Sequence, residues 1–300
     1  MVPGGIAGAG AGVIFRPPSK WRTLLVLGRI SNLPTVWSNC LAGWWLSGGG
    51  SWGRWAFISV AVSFLYVGGM FLNDAFDVEF DRVHRRNRPI PSGAIRVGEV
   101  WAWGFVLLAL GLGSLAWLGA TTVNLGVALC VCILLYNRLH KAVPIAPLLM
   151  GGCRFLVYLV AAASGPDGVT GEVIWKALAL GSYIAGLSCF ARRESQPVRL
   201  EYWPVILLAA PVAIAAFTDD GRSALPAVIF SVVLAAWVAW ALSRSFGQVH
   251  QNVGYTISRL LAGIALVDLL AVASIDEMWI ALFGVWLVLA LVLQRFIPAT

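Results

Sequence analysis

Apolar stretches close to the length of a bilayer-spanning helix recur through this chain, at about 30–47, 55–72, 99–118, 121–136, 144–163, 173–190, 202–217, 224–243, 255–273 and 278–296. An α-helix needs roughly 20 predominantly apolar residues to cross the hydrocarbon core. Inside lipid, backbone N–H and C=O groups must be satisfied without water, which a helix achieves within its own segment. The pattern therefore predicts an all-α fold, a polytopic transmembrane helical bundle of nine or ten spans. Stretches 121–136 and 202–217 are short for a full crossing and are expected to be tilted, extended or partly re-entrant. Composition agrees, with 59% hydrophobic and only 12% charged residues, against roughly 25% charged in soluble domains.

Charge placement orients the expected bundle. Alternate loops should be rich in Lys and Arg. One set of segments holds Arg16, Lys20, Arg22, Arg82, Arg85, Arg86, Arg88, Arg96, Arg138, Lys141, Arg192, Arg193, Arg199, Arg244 and Arg295, which is 15 of the 21 basic residues. The opposite set holds Arg54, Lys176 and Arg222, and Arg29, Arg154 and Arg259 lie within or at the ends of spans. This asymmetry predicts a multi-pass protein of the cell membrane with both termini cytoplasmic, a parity that ten spans satisfy. The formal charge of +7 then belongs to a face meeting anionic lipid headgroups, with no nucleic-acid partner implied. Residues 1–23, Gly- and Ala-rich and without the charged start of a signal peptide, read as a flexible cytoplasmic lead-in. Residues 24–300 read as a single transmembrane domain. The five cysteines fall in apolar spans without CxxC spacing and are expected to be packing residues.

Asn73-Asp74-Ala75-Phe76-Asp77-Val78-Glu79-Phe80-Asp81 closes the second apolar stretch, and Arg85, Arg86 and Arg88 follow at once. If the preceding helix continues, Asp74, Asp77 and Asp81 sit at i, i+3 and i+7 on one face. Glu79 points elsewhere, toward solvent. Aligned carboxylates at the mouth of a membrane helix suit a hard divalent ion. Mg²⁺ takes one or two carboxylates and completes its shell with water and phosphate oxygens, and the arginines would grip the rest of a diphosphate. The competing reading is a solvated charged loop, which the helix-end position, the Asp spacing and the adjoining arginines disfavour.

Three more segments carry costly polar groups. At the first span, Arg29, Asn32, Thr35 and Asn39 should face the bundle interior, as ligands or as ties between helices. Tyr136 and Lys141 end the fourth span, with Arg138 and His140 between them. In the fifth, Arg154 lies deep in an apolar stretch and needs a partner, either a substrate phosphate or an aspartate.

These residues together resemble the UbiA superfamily of membrane prenyltransferases. The resemblance is carried by Asn73-Asp74-xx-Asp77-xxx-Asp81, the Arg-Pro-Ile-Pro-Ser-Gly run ending at Gly93, Asn32-x-Pro34-Thr35, and Tyr136 with Lys141. It implies a helical bundle around a central cavity, and Mg²⁺-dependent transfer of an isoprenyl group from its diphosphate to a small, often aromatic acceptor. It further implies that Asn73, Asp74 and Asp77, with Asp81 in support, form the Mg²⁺-diphosphate site, and that Arg85, Arg86, Arg88, Tyr136 and Lys141 bind diphosphate oxygens. The sequence departs from the family after the sixth span. An Asp-rich second motif is expected there, but Ser188–Pro197 contains no aspartate and offers Arg192, Arg193 and Glu194. Either the two arginines replace an ion as fixed cations with Glu194 assisting, or the chain is a non-catalytic relative that binds or moves a hydrophobic metabolite or anchors an assembly. A phosphatidyl-type transferase is disfavoured, because its Asp-Gly-xx-Ala-Arg opening is absent.

Overall fold

The computed structural model describes residues 19–193, 203–218, 224–246, 253–273 and 276–298. All regular structure among them is helical, and each apolar stretch of the sequence forms a helix. The first part of the chain forms α1 (Lys20–Leu27), a short 3-10 turn (Ile30–Asn32), α2 (Leu33–Leu46), α3 (Trp52–Phe76), α4 (Val78–His84) and α5 (Val97–Leu118). The middle forms α6 (Ala120–Leu139), α7 (Ala146–Ala162), α8 (Gly171–Arg193) and α9 (Pro204–Thr218). The last part forms α10 (Ala224–Phe246), α11 (Val253–Ala262), α12 (Ile264–Val272) and α13 (Glu277–Leu293).

Six helical segments are long and apolar enough to cross a membrane: α3, α5, α6, α8, α10 and the α11–α12 pair. Helices α7, α9 and α13 are apolar but shorter. Length and composition therefore support a multi-pass membrane protein without fixing nine or ten crossings. Stretch 121–136 extends to the 20-residue α6, whereas 202–217 remains short as the 15-residue α9. The lead-in expected at 1–23 lies largely outside the described residues.

Burial separates inner from outer helices. The spanning window is 72% buried in α11–α12 and 28% buried in α5 and α6. Large apolar side chains such as Trp117 and Phe217 point outward, as expected where the solvent is lipid. Helix α2 is central and packs on α3, α7, α12 and α13.

Lipid tails are as apolar as Leu, so close packing rather than water exclusion drives helix association. The α3–α5 contact shows how the sequence arranges it. A Cβ on Gly104 would lie 2.6 Å from Leu72, and one on Gly111 would lie 3.0 Å from the Ala61 carbonyl and closer still to Leu65. Gly113 on the same helix faces open space. Gly111→Val should therefore cost about 1–3 kcal/mol through overpacking. Thermal unfolding in detergent should show the loss, and Gly113→Val should leave the transition unchanged.

The two ends of the bundle differ. Trp44, Trp45, Trp52, Trp55 and Trp279 pack ring to ring at the far ends of α2 and α3. The opposite end, where α1 gives way to α2 and α3 to α4, gathers the polar residues singled out in the sequence.

Candidate active site

A cavity of about 450 Å³ opens at that polar end. Helices α2, α3, α6, α7, α8 and α11 enclose it. Its inner wall is apolar, with Val36, Val62, Leu129, Ile133, Val157 and Ile184, and its mouth carries charge.

The aspartate run stays helical through a small break. Asp77 caps α3 and opens α4, and the bonds from Asp77 N to Asn73 O (3.0 Å) and Asp81 N to Asp77 O (2.9 Å) carry the register across. Asp74 and Asp81 are buried, and Asn73 and Asp77 line the cavity. Glu79 points outward, its side chain 82% exposed beside Arg82.

Each front carboxylate is matched by cations from elsewhere in the fold. Asp74 pairs with Arg88 at 3.0 Å and with Arg29 at 3.6 Å. Arg29 also donates to Asn73 Oδ1 at 3.3 Å. It does so from a left-handed backbone conformation, φ 44°, between α1 and the 3-10 turn. That conformation costs a non-glycine residue about 1–2 kcal/mol and occurs where the site requires the side chain. Asp77 pairs with Lys141 Nζ at 2.6 Å and His140 Nε2 at 3.2 Å. Burial, the largest single influence on the Asp77 carboxyl, would raise its pKa, but the hydrogen bonds and charges of His140 and Lys141 outweigh it and hold the group below the usual aspartate range. Burial wins at Asp81 and raises its pKa against the opposing charge of Arg88. Burial also lowers the Arg88 pKa, with Asp74 opposing.

Arg85, Tyr136 and Asn32 line the cavity, and Tyr136 stacks on His140 with ring centroids 5.2 Å apart. Arg192 lines it too, while donating to the Val143 and Pro144 carbonyls at 2.9 and 3.0 Å. Arg86 is not part of it; the side chain is exposed and donates to the Arg82 carbonyl. Arg193 closes α8, and Glu194 lies outside the described residues.

Sequence reasoning did not assign a role to His140 or to Asn137. Asn137 accepts from Asn73 at 3.2 Å and donates to the Gly69 carbonyl at 3.0 Å, fixing the start of the aspartate run against α6. Their positions one and four residues before Lys141 place them on the same helix end, and that was the available signal. Arg154 lies on the cavity wall deeper than the mouth. Of the two partners the sequence left open, a phosphate or an aspartate, no aspartate forms an ion pair with it among the described residues. It reaches Asn39 and, through it, Asp268.

The donor set suits a hard divalent cation. Asp77 and Asn73 present oxygen at the cavity wall, and Asp81 Oδ1 is buried with no hydrogen-bond partner. Among the described residues no group of three or more His, Cys, Asp or Glu side chains is assembled as a metal cage. Mg²⁺ needs none, because it uses one or two carboxylates and completes its shell with water and substrate phosphates.

Known proteins place the chain. Digeranylgeranylglyceryl phosphate synthase from Methanocaldococcus jannaschii is 28% identical over 151 residues, covering 49% of this chain and 53% of its own. The enzyme of that name from Sulfolobus acidocaldarius is 37% identical over 78 residues, 26% of this chain and 28% of its own. The chain thus aligns with about half or less of these relatives' length. A UbiA homolog from Archaeoglobus fulgidus bound to GPP and Mg²⁺ shares the fold, with TM-score 0.63, 14% identity, and coverage of 89% of this chain and 99% of that one. A solved digeranylgeranylglyceryl phosphate synthase superposes with TM-score 0.61 at 22% identity, covering 85% of this chain and 97% of its own. The profile of the UbiA prenyltransferase family matches residues 32–253, a segment that takes in the aspartate run, Tyr136, Lys141 and Arg154. On that match, which spans most of the sequence and most of the residues lining the cavity, the chain belongs to the UbiA prenyltransferase family.

Proposed function

We propose that this protein transfers an isoprenyl group from its diphosphate to a small acceptor, with Mg²⁺ assisting diphosphate departure at the cytoplasmic mouth of the cavity. One observation carries the reading. Asp77 lines the mouth of an apolar cavity and Asp74 is buried against two residues that line it, Arg29 and Arg88, so that each carboxylate is engaged by two cationic or potentially cationic groups. That is the polarity a tailed diphosphate requires, charge at one end and hydrocarbon at the other.

Asp74 and Asp77, with Asn73 and Asp81 in support, would hold Mg²⁺, which when bound neutralises charge on the departing diphosphate. Arg29, Arg88 and Lys141 exchange their carboxylate partners for diphosphate oxygens, and Arg85, Tyr136 and Arg192 complete the mouth. These fixed donors stabilise negative charge as the allylic C–O bond breaks and its electron pair leaves with diphosphate. The acceptor then bonds to the allylic carbon and releases a proton. The apolar wall holds the prenyl chain and excludes water from the electron-poor carbon.

The resemblance of the sequence to UbiA enzymes favours an aromatic acceptor, whereas the relatives' name points to a glycerol phosphate. Both are to be assayed with geranylgeranyl diphosphate in detergent. Prenylated product should form with Mg²⁺ and fall to background after chelation. The second reading, a non-catalytic relative, rests on Arg192 and Arg193 standing where acids are expected. Turnover with any acceptor ends that reading. Absence of both Mg²⁺-dependent diphosphate binding and turnover in folded protein ends the first.

A further inference from the structure

The cavity carries more positive charge than one ligand at its mouth uses. Among the described residues, six basic side chains line it, Arg29, Arg85, Arg88, Lys141, Arg154 and Arg192, against one carboxylate, that of Asp77. Five of the six ring the mouth. Arg154 does not. Its guanidinium lies 5.6 Å from the centre of the Tyr66 ring, and Tyr66 is seven residues, or about 10 Å along the helix, below Asn73 on α3.

Arg154 is built in place. It is 7% exposed, and donates to Asn39 Oδ1 at 2.7 Å and Thr35 Oγ1 at 3.3 Å. Asn39 is held in turn by Asp268, whose two carboxylate oxygens accept its Nδ2 at 2.8 and 2.9 Å while Ser38 and Tyr158 donate at 2.5 and 2.6 Å. The amide of Asn39 can therefore present only its oxygen to Arg154. None of the ion pairs of the described residues joins Arg154 to a carboxylate. A guanidinium has five N–H donors and stays charged in proteins, and two of them are engaged in these bonds. Holding such a charge in an apolar wall is costly, so a bundle that needed only a tie between helices would be served by neutral groups.

We infer that Arg154 is a specificity residue of a second subsite in the cavity, which receives an acidic oxygen group, a phosphate monoester or a carboxylate, of the prenyl acceptor. Asn39, Thr35 and Asp268 are its positioning residues. The inference rests on the transferase reading only for the word acceptor; the subsite is a binding property of the cavity. It places the acceptor's charged end below the diphosphate, so that its nucleophile lies between the two, toward the allylic carbon.

Binding to purified protein in detergent, read by quenching of intrinsic tryptophan fluorescence, tests it. Two matched pairs serve as probes: geranylgeranylglyceryl phosphate against the free alcohol, and a prenylated hydroxybenzoate against its methyl ester. Geranylgeranyl S-thiolodiphosphate with Mg²⁺ is added to fill the mouth. Wild type should prefer the acid of at least one pair by tenfold or more, with or without the thiolodiphosphate. Arg154→Gln should erase the preference and Arg154→Lys should retain part of it, while thiolodiphosphate binding is unchanged in both. The pair that responds names phosphate or carboxylate as the acidic group. Equal binding within both pairs by wild type overturns the proposal without any variant, and so does a folded Arg154→Gln protein that keeps the full preference. A preference that vanishes once the mouth is filled assigns the acid to the diphosphate site and also overturns it. If thiolodiphosphate fails to bind and turnover is absent while the Arg154-dependent preference persists, the transferase reading fails and the subsite stands.

Discussion

The double replacement Asp74→Ala/Asp77→Ala is expected to abolish Mg²⁺-dependent turnover and Mg²⁺-dependent binding of geranylgeranyl diphosphate. Removing one group that stabilises a charged transition state typically costs 10²–10³-fold in rate, so Asp77→Asn alone should lose about that much. Loss of both carboxylates removes two of the three aspartates proposed to hold Mg²⁺ and leaves Asp81 alone, too little to hold the ion. The cations at the mouth remain, because Arg29, Arg88 and Lys141 lose only their carboxylate partners. The double variant should therefore retain weak, Mg²⁺-independent diphosphate binding that declines steeply with salt. That residue of binding separates lost metal chemistry from a collapsed cavity. Glu79→Gln is the matched control, since Glu79 is largely exposed and its pair with Arg82 is a surface one, worth little. Its turnover should equal that of wild type. Unchanged turnover in the double variant would remove these aspartates from the reaction.

What the sequence made legible is local. Asp74, Asp77 and Asp81 are a few residues apart, and helical periodicity alone places them on one side of a helix end. The ten apolar stretches were legible for the same reason, since hydrophobicity is read along the chain. What joins distant segments was not. Asp268 and Asn39 are 229 positions apart, beyond the reach of any local pattern. The sequence demanded a partner for Arg154 and offered a phosphate or an aspartate; the neutral amide of Asn39 that it meets lies 115 positions away. Arg259, nine residues before Asp268, does not meet it and stacks on Tyr255 and Trp240 instead. His140 drew attention only for lacking a metal partner. Its role beside Asp77 depends on how α6 meets the α3–α4 junction, and no periodicity encodes that. The crossing number stayed open because α7, α9 and α13 are shorter than a bilayer is thick, and short helices cross or stop according to what packs around them.

Asp268→Ala should be the most destabilising single change in the bundle, costing about 3–5 kcal/mol, the range for removing one partner of a buried charged network. Asp268 is 0% exposed on α12 and accepts hydrogen bonds from Ser38 and Asn39 on α2 and from Tyr158 on α7. Its loss would strand three buried donors and free the Asn39 amide, whose oxygen accepts from Arg154, to turn. Asp268→Asn keeps the shape and can accept on one oxygen, with the rotatable hydroxyls of Ser38 and Tyr158 adjusting to the new amide. It should cost less than the alanine variant yet still unfold earlier than wild type, because hydrogen bonds to a charged acceptor are stronger than those to a neutral one. Thermal unfolding in one detergent at fixed pH orders the three proteins as wild type, Asp268→Asn, then Asp268→Ala. If Asp268→Asn equals wild type, hydrogen bonding alone holds α2, α7 and α12 together. If Asp268→Ala also equals wild type, the network is dispensable for the fold, and the burial of an aspartate there requires another reason.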